Sequence, residues 1–351
     1  MRERAELKRN GLDIPFSHKG RKERRMTDLV DSWQRQINYL RISVTDHCNL
    51  NCFYCSIDSI ATLPRDKILS YEEIERLVQA SASMGINKVR ITGGEPLMRP
   101  DLSKLVRMLS QIEGIDDISL TTNGTLLSQY AFKLKEAGLK RVNVSLDSLK
   151  EGEFRNITGG HKLEEVLSGI EAAHSAELEP VKINMVVLRG INDNETIDFA
   201  RMTIDPGWHV RFIEFMPFVT PLAEPSKTVS TQKIQEGIQA LGKLEPDDGS
   251  AGNGPAKYYR LPGAKGTIGF ISPVTEHFCR TCNRLRLTSD GKLRPCLLDD
   301  DEINLKEALR NGIDTNELKK LIQKAVSIKQ KQHNLAEGIS TKIRPMRQIG
   351  G

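Results

Sequence analysis

Between residues 39 and 215, short β-branched runs alternate with amphipathic stretches. Runs at Tyr39–Val44, Lys88–Thr92, Asp117–Thr122, Arg141–Leu146, Val181–Leu188 and His209–Phe215 predict six strands. Helical periodicity covers Tyr71–Met84, Asp101–Gln111, Ser128–Ala137, His161–Ala176 and Glu195–Thr203. Ser70 and Glu73 stand at capping-box spacing before the first helix, and Gly138 ends the third. Strand and helix recur at intervals of about 25–45 residues, which predicts βαβ units around a parallel sheet. Right-handed crossovers then gather the strand-exit loops on one face.

The pattern breaks after Phe215. Residues 217–229 are rich in Pro and polar residues, and residues 245–266 in Gly, Pro and Asp. Short strands are predicted near Tyr258–Leu261 and Thr267–Ile271, and helix from Asn304 to Lys331. A basic, irregular tail, Lys342–Gly351, ends the chain. Three parts result: a basic, flexible leader (1–38), an α/β part (39–216) and a C-terminal part (217–351).

Charge sharpens this division. Residues 1–28 carry nine Lys/Arg against five Asp/Glu, so most of the net charge of +5 belongs to the leader. Only one aromatic, Phe16, lies among these cations, so a mobile tail explains them better than a nucleic-acid arm. No apolar run is long enough to span a bilayer, and the N-terminus has no secretory or transit pattern. A cytoplasmic protein is expected.

The six cysteines fall into two tight triplets, so metal ligation is expected and a disulfide framework is not. Cys48, Cys52 and Cys55 (C-x3-C-x2-C) leave the first predicted strand, where α/β barrels carry catalytic loops. Three thiolates are one short of a closed structural site, so an outside ligand can enter. Cys279, Cys282 and Cys296 (C-x2-C-x13-C) repeat the arrangement. Spacing alone leaves zinc, with His277 as a fourth ligand, and iron–sulfur equally open here. Arg284 and Arg286 follow two residues apart; on an extended segment they share a face and suit an anionic ligand such as a phosphate.

Arg90-Ile-Thr-Gly93-Gly94-Glu95-Pro96 sits where a strand ends, and its glycines allow close backbone approach to a ligand. Thr121–Gly124, Asn143–Asp147 and Lys182–Asn184 place small polar or cationic residues on further strands. Their recurrence favours a ligand-lined mouth.

The cysteine triplet with Tyr54, followed by Gly93-Gly94-Glu95-Pro96, resembles the radical S-adenosylmethionine superfamily. The second triplet, Arg284-x-Arg286 and the terminal Gly350-Gly351 narrow the resemblance to the GTP 3′,8-cyclase family of molybdenum cofactor biosynthesis. It covers Tyr39 to Gly351, and is clearest in LRISVTDHCN, RITGGEPLMR, LTTNG, NVSLD, RFIEFM, AKYYR and CRTCNRLRLTSDGKLRPCL. Ser56-Ile57-Asp58 stands where the family has Met-Pro after the third cysteine.

The resemblance implies a partial (β/α)6 TIM-type barrel, with a C-terminal α+β extension closing its mouth. It implies two 4Fe–4S clusters, one on Cys48, Cys52 and Cys55 and one on Cys279, Cys282 and Cys296. Tyr54, Gly94, Ser145 and Met216 would line S-adenosylmethionine. Arg41, Arg90, Thr121, Lys182, Arg284, Leu285 and Arg286 would contact GTP, with Lys88 and Arg211 as additions. Arg284, Arg286, Gly350 and Gly351 would assist the reaction, with the tail threaded towards the active site. The implied reaction turns GTP into (8S)-3′,8-cyclo-7,8-dihydroguanosine 5′-triphosphate. Implied partners are a flavodoxin or ferredoxin as electron donor and a cyclic pyranopterin monophosphate synthase as the next enzyme. A monomer or homodimer without membrane or nucleic-acid contacts is expected. Two other readings are a different radical enzyme with an auxiliary cluster and a zinc-stabilised nucleic-acid-binding protein; iron content and colour separate the second from the first.

Overall fold

The computed structural model describes residues 29–55, 61–217, 225–248, 254–333, 335 and 344–350. Expectations for residues 1–28, for Ser56-Ile57-Asp58 and for Gly351 lie outside the described residues, as does most of the Pro-rich stretch after Phe215.

Six strands form the frame: β1 (Tyr39–Ser43), β2 (Lys88–Thr92), β3 (Asp117–Thr122), β4 (Arg141–Ser145), β5 (Lys182–Val187) and β6 (His209–Glu214). They pair in parallel, in sequence order. Between them run α1 (Tyr71–Ala82), α2 (Leu102–Ser110), α3 (Leu127–Glu136), α4 (Glu151–Thr158), α5 (Leu163–Ser175) and α6 (Thr196–Arg201). The predicted capping box starts α1: the Ser70 hydroxyl accepts from the Glu73 N–H, and the Glu73 carboxylate accepts from the Ser70 N–H.

Each strand alternates in character. Leu40, Ile42, Val89, Ile91, Val142, Val144, Ile183, Val210 and Phe212 are buried in one large apolar core with the helices. Their neighbours along each strand, among them Arg41, Arg90, Asn143, Lys182 and Arg211, therefore face the other way, into the barrel. A parallel sheet with two dry faces would read as continuous Val, Ile and Leu. This one keeps one face polar, which is what a ligand chamber requires.

The C-terminal part continues the same sheet. After α7 (Thr231–Ile238) come β7 (Glu245–Pro246), β8 (Lys257–Arg260) and β9 (Ile268–Ile271), and β9 lies parallel to β6. At the opposite edge β10 (Arg284–Leu287) lies parallel to β1, extended by β11 (Lys292–Arg294) and β12 (Ile303–Asn304). The strand order is β12-β11-β10-β1-β2-β3-β4-β5-β6-β9-β8-β7, an open barrel with outer strands at both edges. The helical stretch expected over Asn304–Lys331 is two helices, α8 (Lys306–Arg310) and α9 (Thr315–Ser327), parted at Gly312 by a left-handed φ of 79°. The tail ends in a short helical turn, α10 (Met346–Ile349).

Residues 29–38, expected as the end of a leader, are folded. Leu29 and Ile37 are buried, and the buried Arg35 side chain pairs with Asp31 and donates to the Cys279 carbonyl at 2.8 Å. Among the described residues no helix is long and apolar enough to cross a membrane.

Candidate active site

Cys48, Cys52 and Cys55 occupy the loop leaving β1, as the sequence predicts. The loop is held from two sides. Asn51 N–H and Phe53 N–H donate to the Thr158 and Ile157 carbonyls, while the Asn123 side chain donates to Asn49 Oδ1 at 2.9 Å and reaches Cys48 Sγ at 3.8 Å. The glycine pair explains the third side. A Cβ on Gly94 would lie 2.3 Å from the His47 carbonyl oxygen, and one on Gly93 would lie 2.6 Å from that of Thr45. Gly93 and Gly94 were expected to admit a ligand; in the fold they admit the cysteine loop's own backbone. Gly94 N–H donates to Thr45 O and Glu95 N–H to His47 O, both at 2.7 Å.

Two buried carboxylates brace this corner. Glu95 accepts from Thr122 Oγ1 and from the Leu97 and Asn123 N–H groups. Burial raises it to about 7, although those hydrogen bonds pull it down. Asp147 accepts from the Tyr54 hydroxyl at 2.5 Å and from Val186 N–H at 2.8 Å, and burial raises it to about 6. Ser145 stands at the end of β4, in register with Asn184. Met216 packs beside Cys296 and Met346 against Leu298 and Leu335.

All six cysteines are free thiols. Burial pushes the first three up, Cys55 to about 12, and neighbouring sulfurs push Cys52 and Cys55 further. Desolvated, mutually repelling thiolates are stabilised by a cation between them, so the donor set fits a soft metal centre. Among the described residues no three His, Cys, Asp or Glu side chains close around a single ion position.

The second triplet differs from the first. Cys279 is raised by burial and by Cys296 and Cys282. Cys282 would be raised by burial, but Arg284 and Lys329 bring it down to about 6. His277 turns to His333, with the ring nitrogens 3.3 Å apart.

Strand direction places the triplets. Cys48–Cys55 follow the exit end of β1, while Cys282 lies two residues before the entry end of its parallel neighbour β10. At about 3.3 Å per residue, the strands that part the two corners span roughly 15 Å. The pairing of β10 with β1, which sets the second triplet at the entry end, is not encoded locally.

Between the corners lies a band of cations. Arg286, Arg41 and Arg90 stand in register across β10, β1 and β2, with Arg284, Tyr39 and Lys88 one row nearer the second triplet. Lys182 and Arg211 continue the band on β5 and β6. None of the ion pairs among the described residues involves Arg90, Arg211, Arg284 or Arg286. Burial and the neighbouring Arg284 lower Arg286 to about 9; burial lowers Arg211 to about 10. Tyr39, which burial would raise, is instead lowered by Arg90, Arg41 and Arg284. The Tyr39 hydroxyl, Thr121 Oγ1 and Asn184 Oδ1 are buried without a hydrogen-bond partner among the described residues. Repelling cations and unsatisfied polar atoms together make a site for a polar polyanion. Leu285 differs from its neighbours: its side chain is buried in the core, so its backbone is what remains for a ligand.

The tail enters this chamber. Arg344 bridges Asp290 and Glu302, and Glu302 also pairs with the buried Arg294. From there Arg347 comes against Cys55, Ile349 is buried, and Gly350 O accepts from Arg286. Arg35, Lys329 and Arg347 are site-supporting residues that sequence reasoning missed, whereas Asp147 falls in the Asn143–Asp147 stretch that it singled out. Each of the three acts from far along the chain, and no short motif marks it.

Comparison with known proteins identifies the family. Residues 42–203 match the family described as Radical SAM superfamily, and residues 208–335 match Molybdenum Cofactor Synthesis C. The GTP 3′,8-cyclase of Pelotomaculum thermopropionicum is 51% identical over 326 residues, covering 92% of this chain and 100% of the relative. That of Moorella thermoacetica is 49% identical over 324 residues, with 92% and 100% covered. Among solved structures, Streptococcus suis SuiB bound to S-adenosylmethionine superposes with a TM-score of 0.59 at 16% identity, covering 82% of this chain and 68% of that one. That likeness bears on the fold alone.

Proposed function

The chain belongs to the GTP 3′,8-cyclase family of the radical S-adenosylmethionine superfamily, and from that premise we propose how its own residues serve the reaction. It converts GTP to (8S)-3′,8-cyclo-7,8-dihydroguanosine 5′-triphosphate, the first step of molybdenum cofactor biosynthesis. Its family uses S-adenosylmethionine and a 4Fe–4S cluster.

Cys48, Cys52 and Cys55 would hold that cluster. When bound, the cluster and S-adenosylmethionine would supply radical chemistry at the ribose. Tyr54, Gly94, Ser145 and Met216 line the cofactor, and Asp147 fixes Tyr54 by the 2.5 Å hydrogen bond. Cys279, Cys282 and Cys296 would hold a second 4Fe–4S cluster at the end of the chamber assigned to the guanine base. Arg41, Arg90, Lys182, Arg211, Arg284 and Arg286 bind the triphosphate, with Thr121 and Lys88 alongside. The strands set the spacing between sugar and base, and the tail covers the exit end against water. An outside donor of flavodoxin or ferredoxin type supplies electrons, and a cyclic pyranopterin monophosphate synthase takes the product.

One observation carries the substrate assignment: the in-register cations Arg286, Arg41 and Arg90 lie between two thiol triplets. A protein that bound zinc or a peptide there would have no use for a buried cationic band. The test is anaerobic incubation with GTP, S-adenosylmethionine and dithionite. A cyclised nucleoside triphosphate together with 5′-deoxyadenosine is expected; cleavage of the cofactor with GTP left intact would remove the assignment.

A further inference from the structure

Tyr258 of β8, Gly269 of β9, Arg211 of β6 and Asn184 of β5 stand in register across four neighbouring strands. The glycine in this row is required by packing. A Cβ on Gly269 would lie 3.0 Å from Tyr258 Cε1 and 2.9 Å from Arg211 Cγ. Its absence lets the Tyr258 ring lean across the sheet and reach Lys182. Lys182 Nζ donates to the Tyr258 hydroxyl oxygen at 3.1 Å and lies 4.9 Å from the ring centroid. Arg211 bears on the same phenol while donating to Asn143 Oδ1. Burial would raise the Tyr258 phenol, yet Arg211 and Lys182 bring it below its ordinary value.

The choice of a phenol has a physical reason. Two cations this close repel and would swing apart without a shared acceptor. A carboxylate would hold them but would compete with an incoming phosphate for both. A phenylalanine would offer no acceptor at all. A phenol oxygen accepts from both cations and carries no full charge, so it does not compete with a phosphate as a carboxylate would.

We propose that Tyr258 is a positioning residue that holds Lys182 and Arg211 aimed at the phosphate chain of the nucleotide. The inference rests on the reading of the chamber as a GTP site.

The test uses the full-length, cluster-loaded protein under anaerobic conditions. Equilibrium binding of GTP, inorganic triphosphate and guanosine is measured for wild type, Tyr258→Phe and Tyr258→His. Tyr259→Phe serves as control, because Tyr259 packs edge-on to Phe270 at 5.6 Å. In Tyr258→Phe, GTP and triphosphate are expected to bind about tenfold more weakly, the loss of one charge-assisted hydrogen bond, with guanosine unchanged. The KM for GTP should rise by a similar factor while kcat holds. Tyr258→His keeps a ring and an acceptor nitrogen and should recover most of the triphosphate affinity. That arm decides the matter even if the Phe variant loses its clusters. Unchanged triphosphate binding in Tyr258→Phe, an equal loss for guanosine, or no recovery with His would overturn the proposal. Wild-type protein that binds neither GTP nor triphosphate would instead overturn the reading of the chamber.

Discussion

The Arg286 guanidinium donates to the Gly350 carbonyl, tying the end of the described chain to a strand that begins beside the second triplet. The same glycine sits against the rim of the first. A Cβ on Gly350 would lie 2.7 Å from Thr92 Cγ2 and 3.2 Å from Ser43 Cβ, at a left-handed φ of 79°. One residue thus reports on both halves of the chamber.

Gly350→Ala should therefore undock the tail without unfolding the barrel. Cyclisation is expected to fall by about tenfold or more, the effect of a small misplacement at a reacting site. The melting temperature should stay close to wild type. Full turnover in this variant would show that the tail's seat is immaterial.

The two triplets should be separable by iron counting. Wild type is expected to hold roughly eight irons, and Cys48→Ala and Cys296→Ala roughly four each. Cys48→Ala should form no 5′-deoxyadenosine. Cys296→Ala should still form some, but no cyclised triphosphate. The same product profile from both variants would contradict the division of labour.

Gly94→Ala tests the contact between β2 and the cysteine loop. The new methyl meets backbone, with the His47 carbonyl oxygen at 2.3 Å, so the loop must shift. A loss of about 2 kcal/mol in stability and of the first cluster's irons is expected. Metal analysis and chemical denaturation read both; normal iron content would show that the loop has slack.

Asp147 gives a pH signature. Its folded value of about 6 lies above the ordinary 3.8, so the folded state binds the proton more tightly than the unfolded state does. Its stabilising contribution is complete below the unfolded value and is lost as pH rises through the folded one. Wild type should accordingly lose stability relative to Asp147→Asn between about pH 4 and pH 6. Denaturation midpoints that run parallel for the two proteins over that range would refute the assignment.

Local pattern made much of this legible. The strand Lys88–Thr92 and the Ser70–Glu73 cap fall where the sequence puts them, because each depends on a few adjacent residues. The cysteines and Arg284-x-Arg286 were visible for the same reason. What escaped depends on pairing between distant segments. Nothing near residue 284 says that β10 will lie beside β1, so the second triplet's position at the entry end could not be foreseen. Tyr258 looked like an ordinary strand residue until Gly269 and Lys182 were brought beside it. Helix α4 was passed over because it is short and follows a loop.

The partner of β1 on its outer side is a strand from the last quarter of the chain. During translation, then, the nascent protein carries its first cysteine loop on a strand with one bare edge until residues 284–287 leave the ribosome. An edge exposed for so long invites wrong associations. Both cysteine corners therefore gain their final neighbours only after β10 has paired with β1.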